Sequence, residues 1–325
     1  MNAFVGQLRR RLFCLSPDAV SFERRGFRCG GSGLRQRLEM VGSAFVTGYH
    51  SAVGSGSLPE LESTLDGVEL ELRGFAFEGA ALGLAVLDRL TPWRPNRVEA
   101  FLAGPGDAHS YMVHVGIGWL WARVPFGFRR RQKRLDRLLG WLAFDGWGFH
   151  EGFFHWRAYA SGQPAPQRLT GYERRVFDQG LGRSFWFANG GSVDHVARTI
   201  SNCSSSRQPD LWSGVGLAAS YAGIISEDSL HRLRTLSGRF HPQLAQGATF
   251  AAKARQRAGN PAEHTCLATK ILCDMNAAEA ARLTDAALEN LPADAAEPAY
   301  EIWRRRIQNH FQIHVALDRH LQNAR

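Results

Sequence analysis

FDGWGFHEGFFHW, residues 144–156, crowds three glycines, six aromatic rings, two histidines and two carboxylates into less than four helical turns. Its first half belongs to a motif that recurs along the chain: FEGAALG (77–83), HVGIGWL (114–120), FDGWGFH (144–150), DQGLGRS (178–184), WSGVGLA (212–218) and AQGATFA (245–251). The anchor glycines are Gly79, Gly116, Gly146, Gly180, Gly214 and Gly247, at spacings of 37, 30, 34, 34 and 33 residues. A period near 34 is the length of two helices and two short turns, the size of a helical-hairpin repeat. A glycine inside a helix costs about 1 kcal/mol relative to alanine. Close approach of neighbouring backbones is the reason to accept that cost six times over.

The intervening sequence agrees. RLDRLLGWL (134–142), VDHVARTI (193–200), DSLHRLRTL (228–236) and HTCLATKIL (264–272) carry helical periodicity and supply the second helix of each pair. Pro92, Pro95, Pro164, Pro166, Pro209 and Pro242 punctuate the pattern, and period-two alternation is nearly absent. The expected fold is all-α: six tandem hairpins over residues 57–290, preceded by a helical segment (1–56) packed on the array and followed by a C-terminal helix and tail (291–325). The period resembles that of tetratricopeptide-like repeats, and such an array is either a solenoid or a closed α/α toroid.

The chain has 325 residues, 44% hydrophobic and 11% aromatic, enough for a large core and too aromatic for disorder. No apolar run is long enough to span a bilayer. The net charge of +9 comes almost wholly from arginine, since Lys133, Lys253 and Lys270 are the only lysines. The densest basic run is Arg129, Arg130, Arg131, Lys133, Arg134 and Arg137. It lacks interleaved aromatic residues and no nucleic-acid-binding motif accompanies it, so nucleic acid is not an expected partner. Five cysteines (Cys14, Cys29, Cys203, Cys266, Cys273) without a C-x-x-C pair argue against zinc and a disulfide framework and suit a reducing cytoplasm. Cys266 and Cys273, seven apart, are expected to pack on one helix face. The N-terminus is too short of apolar residues for a secretory signal and reads as a short amphipathic helix.

The residues preceding the anchor glycines are Glu78, Val115, Asp145, Gln179, Ser213 and Gln246. Equivalent positions in stacked repeats face the same way, so a row of polar groups along the inner surface follows. Glu151 and His155, four apart, share a helix face, and the repeat places His114 near Asp145. Those four residues, with Glu78, Asp178 and Arg183, are the candidates for acid–base work, because a carboxylate beside a histidine tunes the pKa of both. Phe75, Phe77, Trp119, Trp147, Phe153, Trp186, Trp212 and Tyr221 would line the same surface. His150 and His155 stand five apart, where the zinc-protease pattern needs four, and no metal site is assigned. No nucleotide-binding fingerprint, phosphate loop or G-x-S-x-G elbow occurs, and the sequence implies no cofactor. Lys253, in an alanine run, reads as solvated.

The stretches RRGFR (24–28), ELRGFAFEGAALGLAVLD (71–88), FLAGPGDAHSYMVHVGIGWLWAR (101–123), GFHEGFFHW (148–156), FDQGLGRSFWF (177–187), DLWSGVGLAASYAG (210–223), QGATFAAKARQRAGNPAEHT (246–265) and EPAYEIWRRRIQ (297–308) resemble a bacterial domain-of-unknown-function family encoded in the biosynthetic gene clusters of enediyne polyketides. The resemblance covers roughly residues 1–311. It implies an accessory protein that acts on, or binds, a hydrophobic polyene intermediate during formation of the enediyne core. It brings no assigned catalytic residues. An enzyme of secondary metabolism is the first expectation. The alternatives are a helical-repeat scaffold for the polyketide synthase or a tailoring enzyme, and a carrier that shields a polyene.

Overall fold

The computed structural model describes residues 13–91, 93, 96–223, 225–292 and 296–323, with side chains of the last helix described to Gln312. The expected N-terminal amphipathic helix falls largely on residues 1–12, and Pro92 and Pro95 on the second connection; both lie outside the described residues. Among the described residues the chain is all-helical and has no strand.

The principal helices are α1 (Ser32–Gly54), α2 (Leu58–Asp66), α3 (Arg73–Leu90), α4 (Arg97–Leu102), α5 (Ser110–Arg123), α6 (Phe128–Gln132), α7 (Leu142–Ala160), α8 (Tyr172–Ala188), α9 (Val193–Ser201), α10 (Gln208–Ala222), α11 (Glu227–Ser237), α12 (His241–Ala258), α13 (Glu263–Cys273), α14 (Ala277–Ala286) and α15 (Ala299–Asn323). The long glycine helices α3, α5, α7, α8, α10 and α12 pack in chain order, each against the next, with α1 ahead of them.

The glycines explain how. A Cβ at Gly116 would overlap the carbonyl oxygen of Glu78, and at Gly146, Gly180, Gly214 and Gly247 those of Val115, Asp145, Gln179 and Ser213. Each anchor glycine therefore rests on the carbonyl of the residue before the preceding anchor. A second set faces the other way: Gly118, Gly148, Gly182 and Gly216 meet the carbonyls of Ala143, Phe177, Leu211 and Leu244 on the following helix. The interfaces α5–α7, α7–α8, α8–α10 and α10–α12 are thus two-sided backbone contacts, that of α3 with α5 rests on Gly116 alone, with Ala81 opposite, and neighbouring glycine helices run parallel. Residues 1–56 include α1, which stands to α3 as α3 stands to α5: Gly48 meets the carbonyl of Ala76, and Gly79 that of Phe45.

The connections are less regular. VDHVARTI, DSLHRLRTL and HTCLATKIL form α9, α11 and α13. RLDRLLGWL does not form a helix. The Asp136 carboxylate accepts the backbone N–H groups of Leu138 (2.8 Å) and Leu139 (2.6 Å), and this local turn competes with the helix its periodicity suggests. Between α7 and α8 there is no second helix. Of the two cysteines expected to pack together, Cys273 is buried and Cys266 is exposed.

The last glycine helices also touch the first. Arg37 of α1 donates to the carbonyl of Ala222 at the end of α10 (3.2 Å). Arg255 of α12 donates to the carbonyls of Tyr221 and Glu71. Phe75, at the N-terminal end of α3, meets the Tyr221 ring edge-on. Against α12 and α14 packs α15, whose first three turns bury Tyr300, Trp303, Arg304 and Ile307.

Candidate functional site

The polar residues before the anchor glycines (Glu78, Asp145, Gln179, Ser213 and Gln246) are all buried, and two pairs of them bond to each other and to α15. Gln179 Nε2 donates to Asp145 Oδ2 (2.7 Å) and to the Tyr300 hydroxyl of α15 (3.1 Å). Ser213 donates to Gln246 Oε1 (2.8 Å), which also accepts from Arg304 and Gln308 of α15. Arg304, fully buried, donates to Asp210 (2.8 Å), and Asp210 also accepts from Arg175. The charged groups among them are paired, as buried charges must be, while Gln246 Nε2 has no partner among the described residues.

Glu78, Asp145 and Arg183 converge in the interior. Arg183 pairs with Asp145, and its charge reaches Glu78, which accepts a hydrogen bond from Trp119 Nε1 (3.0 Å). Burial lifts the Glu78 carboxyl to about 7, against the opposing pull of Arg183 and Trp119. Beside it is a cavity of about 30 Å³ walled by Phe45, Phe75, Trp119, Phe149, Phe153 and Phe187 and closed by Val20 of the N-terminal segment. That volume is on the order of one water molecule. Of the aromatic residues expected on the inner surface, Phe75, Trp119 and Phe153 reach this cavity; the other five sit in the core.

The remaining candidates lie elsewhere. Asp178 is held by Arg207 through hydrogen bonds of 2.6 to 3.1 Å; burial outweighs that pairing and raises its carboxyl to about 6. Glu151 faces His150 (3.6 Å) and the Tyr159 hydroxyl (3.4 Å). His155 is exposed, at a kink in α7 where the backbone leaves helical geometry (φ −127°, ψ 29°). His114 does not meet Asp145, Glu151 or His155. It lines a different feature.

That feature is a cleft of about 880 Å³ between α3, α4, α5, the 131–139 segment, the end of α12 and α14. It follows one face of α5, given by Ser110, His114, Ile117 and Trp121, over about 16 Å at 1.5 Å per residue. Leu102, Leu135, Leu138, Leu139 and Leu288 supply apolar walls, and an ion pair, Lys253–Asp285 (2.7 Å), marks the rim. The turn that denies RLDRLLGWL its helix is what lays its leucines along this wall.

Four buried polar atoms on the cleft residues have no hydrogen-bond partner among the described residues: Ser110 Oγ, His114 Nε2, Trp121 Nε1 and Arg131 Nη1. His114 Nδ1 lies 2.7 Å from the carbonyl of Ser110, its own i−4 residue. A carbonyl only accepts, so Nδ1 carries the proton and Nε2 presents a lone pair. Burial lowers the imidazole pKa, and the ring is neutral at neutral pH. Sequence reasoning missed Ser110, Trp121 and Arg131. The stripe 110–114–117–121 was a usable signal, but α5 is apolar on every side and no face stood out. Among the described residues no group of three or more His, Cys, Asp or Glu side chains could hold a metal ion, and no helix is long and apolar enough to cross a membrane.

Compared with known proteins, residues 4–311 match the family described as Protein of unknown function (DUF1702). No curated protein and no solved structure matches the chain.

Proposed function

The chain belongs to the DUF1702 family, and for this member we propose that the cleft along α5 binds an elongated, largely apolar small molecule carrying a polar group, with His114 as its proton acceptor. The observation that carries the reading is that four buried polar atoms without a partner among the described residues belong to residues lining one cleft, whose walls are partly apolar and whose remaining lining is charged. Buried polar atoms are nearly always hydrogen-bonded, and an apolar pocket with a few convergent polar groups is the usual form of a ligand site. Trp121 Nε1 and Arg131 are donors and Ser110 donates or accepts. His114 Nε2, fixed in one tautomer, takes a proton from a substrate O–H or activated C–H at its reach.

The resemblance described above makes a polyketide polyene in enediyne core formation the candidate occupant, and the protein an enzyme of that pathway. The scaffold alternative has less support. We read the chain as a curled helical-hairpin array, and the polar row that such an array offers a partner is occupied by Tyr300, Arg304 and Gln308 of its own α15.

The test is titration with a fluorescent conjugated polyene fatty acid. Saturable binding is expected. His114→Gln and Ser110→Ala are expected to weaken it roughly 10-fold or more, the worth of a buried hydrogen bond. Ala103→Trp, at the rim, is expected to block it. Binding indifferent to all three variants would remove the cleft from consideration. Co-expression with the pathway that makes the polyene, comparing wild type with His114→Gln, separates enzyme from carrier: an unchanged product with the variant leaves only binding.

A further inference from the structure

Two apolar side chains stand out from the surface: Trp93 is 75% exposed and Phe126 78%. Leu90, at 45%, joins them. They occupy the segments leaving the C-terminal ends of α3 and α5, which are parallel neighbours, so they share one edge of the molecule. Arg89 lies at this edge within electrostatic reach of Arg131, and the basic run following Phe126 continues through Arg130, Lys133 and Arg134; Arg89 and these three are exposed and in no ion pair among the described residues. Of the acidic groups nearby, the exposed Glu99 is in no ion pair among the described residues, and three others are already engaged. Asp88 is held by Arg97 (3.0 Å), Glu173 by Arg129 (2.7 Å), and Asp136 by its own turn. Burial lowers the pKa of Arg131, and the neighbouring positive charge of Arg89 adds to that.

We propose that this edge docks on an anionic lipid surface, with Trp93 and Phe126 seated among the headgroups and the unpaired arginines on lipid phosphates. Stable attachment to a bilayer surface takes two signals, inserted apolar groups and basic charge, and this edge has both. Tryptophan favours the headgroup layer, and guanidinium matches phosphate geometry. An acidic protein would engage the arginines but gives no reason to leave two large rings in water. Arg89, Arg131 and Arg134 also line the cleft, so its basic side adjoins the docking edge. The docking does not rest on what the cleft holds.

The experiment is co-sedimentation of the full chain with vesicles of phosphatidylcholine, alone or mixed with phosphatidylglycerol, at low and high salt. Binding is expected to the anionic vesicles, weakened by salt, and not to phosphatidylcholine alone. Trp93→Ser with Phe126→Ser is expected to cut partitioning at least 10-fold at constant salt. Arg130→Gln, Lys133→Gln and Arg134→Gln together are expected to cut it by about 100-fold at low salt, at roughly fivefold per charge. All five positions are exposed, so thermal melts should match wild type. Binding of the polyene probe in the same variants reports on the cleft separately. No sedimentation with anionic vesicles at low salt overturns the proposal. So does salt-sensitive adsorption that ignores the two ring substitutions, or preferential capture by polyglutamate with the rings irrelevant; either marks a surface for acidic polypeptide.

Discussion

Glu78 shows how burial turns one carboxyl into a pH-dependent part of the fold. Its pKa is raised from 4.5 to about 7, so between those values the folded chain holds a proton that the unfolded chain has released. Its contribution to stability is therefore present below pH 4.5 and is lost as pH rises to about 7, roughly 3 kcal/mol across the window. Glu78→Gln removes the charge and keeps the shape. The variant is expected to melt higher than wild type at pH 8 and close to wild type at pH 4. A variant destabilised equally at both values would show that ionised Glu78 is held by Arg183 after all. That Glu78, Asp145 and Arg183 belong together was legible from the repeat, because two of them occupy equivalent positions and the third lies four residues beyond Gln179, which occupies another. That His114 belongs elsewhere was not. It stands two residues before its anchor, in the register of Phe144 rather than Asp145, and a helix turns about 100° per residue. One position of offset sends it to the cleft instead of the interior. Glu151 and His155 share a face, as their spacing requires, but the kink at His155 leaves that side chain in solvent.

For the helices, the decisive feature is the absence of a Cβ. Gly180 sits on the carbonyl of Asp145 with no room between, and its opposition is backbone, which cannot rotate away. Gly180→Ala is expected to cost about 3 kcal/mol or more, at or beyond the upper end for overpacking, despite alanine's better helix propensity. A Cβ at Gly33, in the first turn of α1, would have nothing within 4 Å, and Gly33→Ala is expected to stabilise by about 0.5 kcal/mol. Urea denaturation of the two variants measures both, and a mild effect at Gly180 would refute the backbone-contact account. The glycine helices were legible because their spacing is a direct print of this contact. The membership of α1 was not, because Val46 stands where the other helices have their anchor glycine and only Gly48 keeps the pattern. The second helices were harder again. Their periodicity is that of any amphipathic segment, and one aspartate, Asp136, is enough to trade a helix for a turn.

Across the whole molecule, α15 joins helices far apart in sequence. Tyr300 reaches Gln179 of α8, Arg304 reaches Asp210 of α10 and Gln246 of α12, and Trp303 donates to the carbonyl of Thr284 (2.8 Å). Arg304→Met would leave Asp210 buried with Arg175 as its remaining ion-pair partner. Breaking a buried pair in this way costs about 3–5 kcal/mol. The expected result is a lower melting temperature and faster amide exchange in α10 and α12, and unchanged exchange there would show that α15 holds the array by apolar contact alone. The hydrogen bond between Gln179 and Tyr300 joins residues 121 positions apart, and that between Gln246 and Arg304 residues 58 apart. A ribosome delivers the polar row well before the helix that covers it, so the nascent array waits half-assembled with Asp145, Gln179, Ser213 and Gln246 wet. During that interval it is open to misfolding or to a chaperone, until its final helix arrives to shut it.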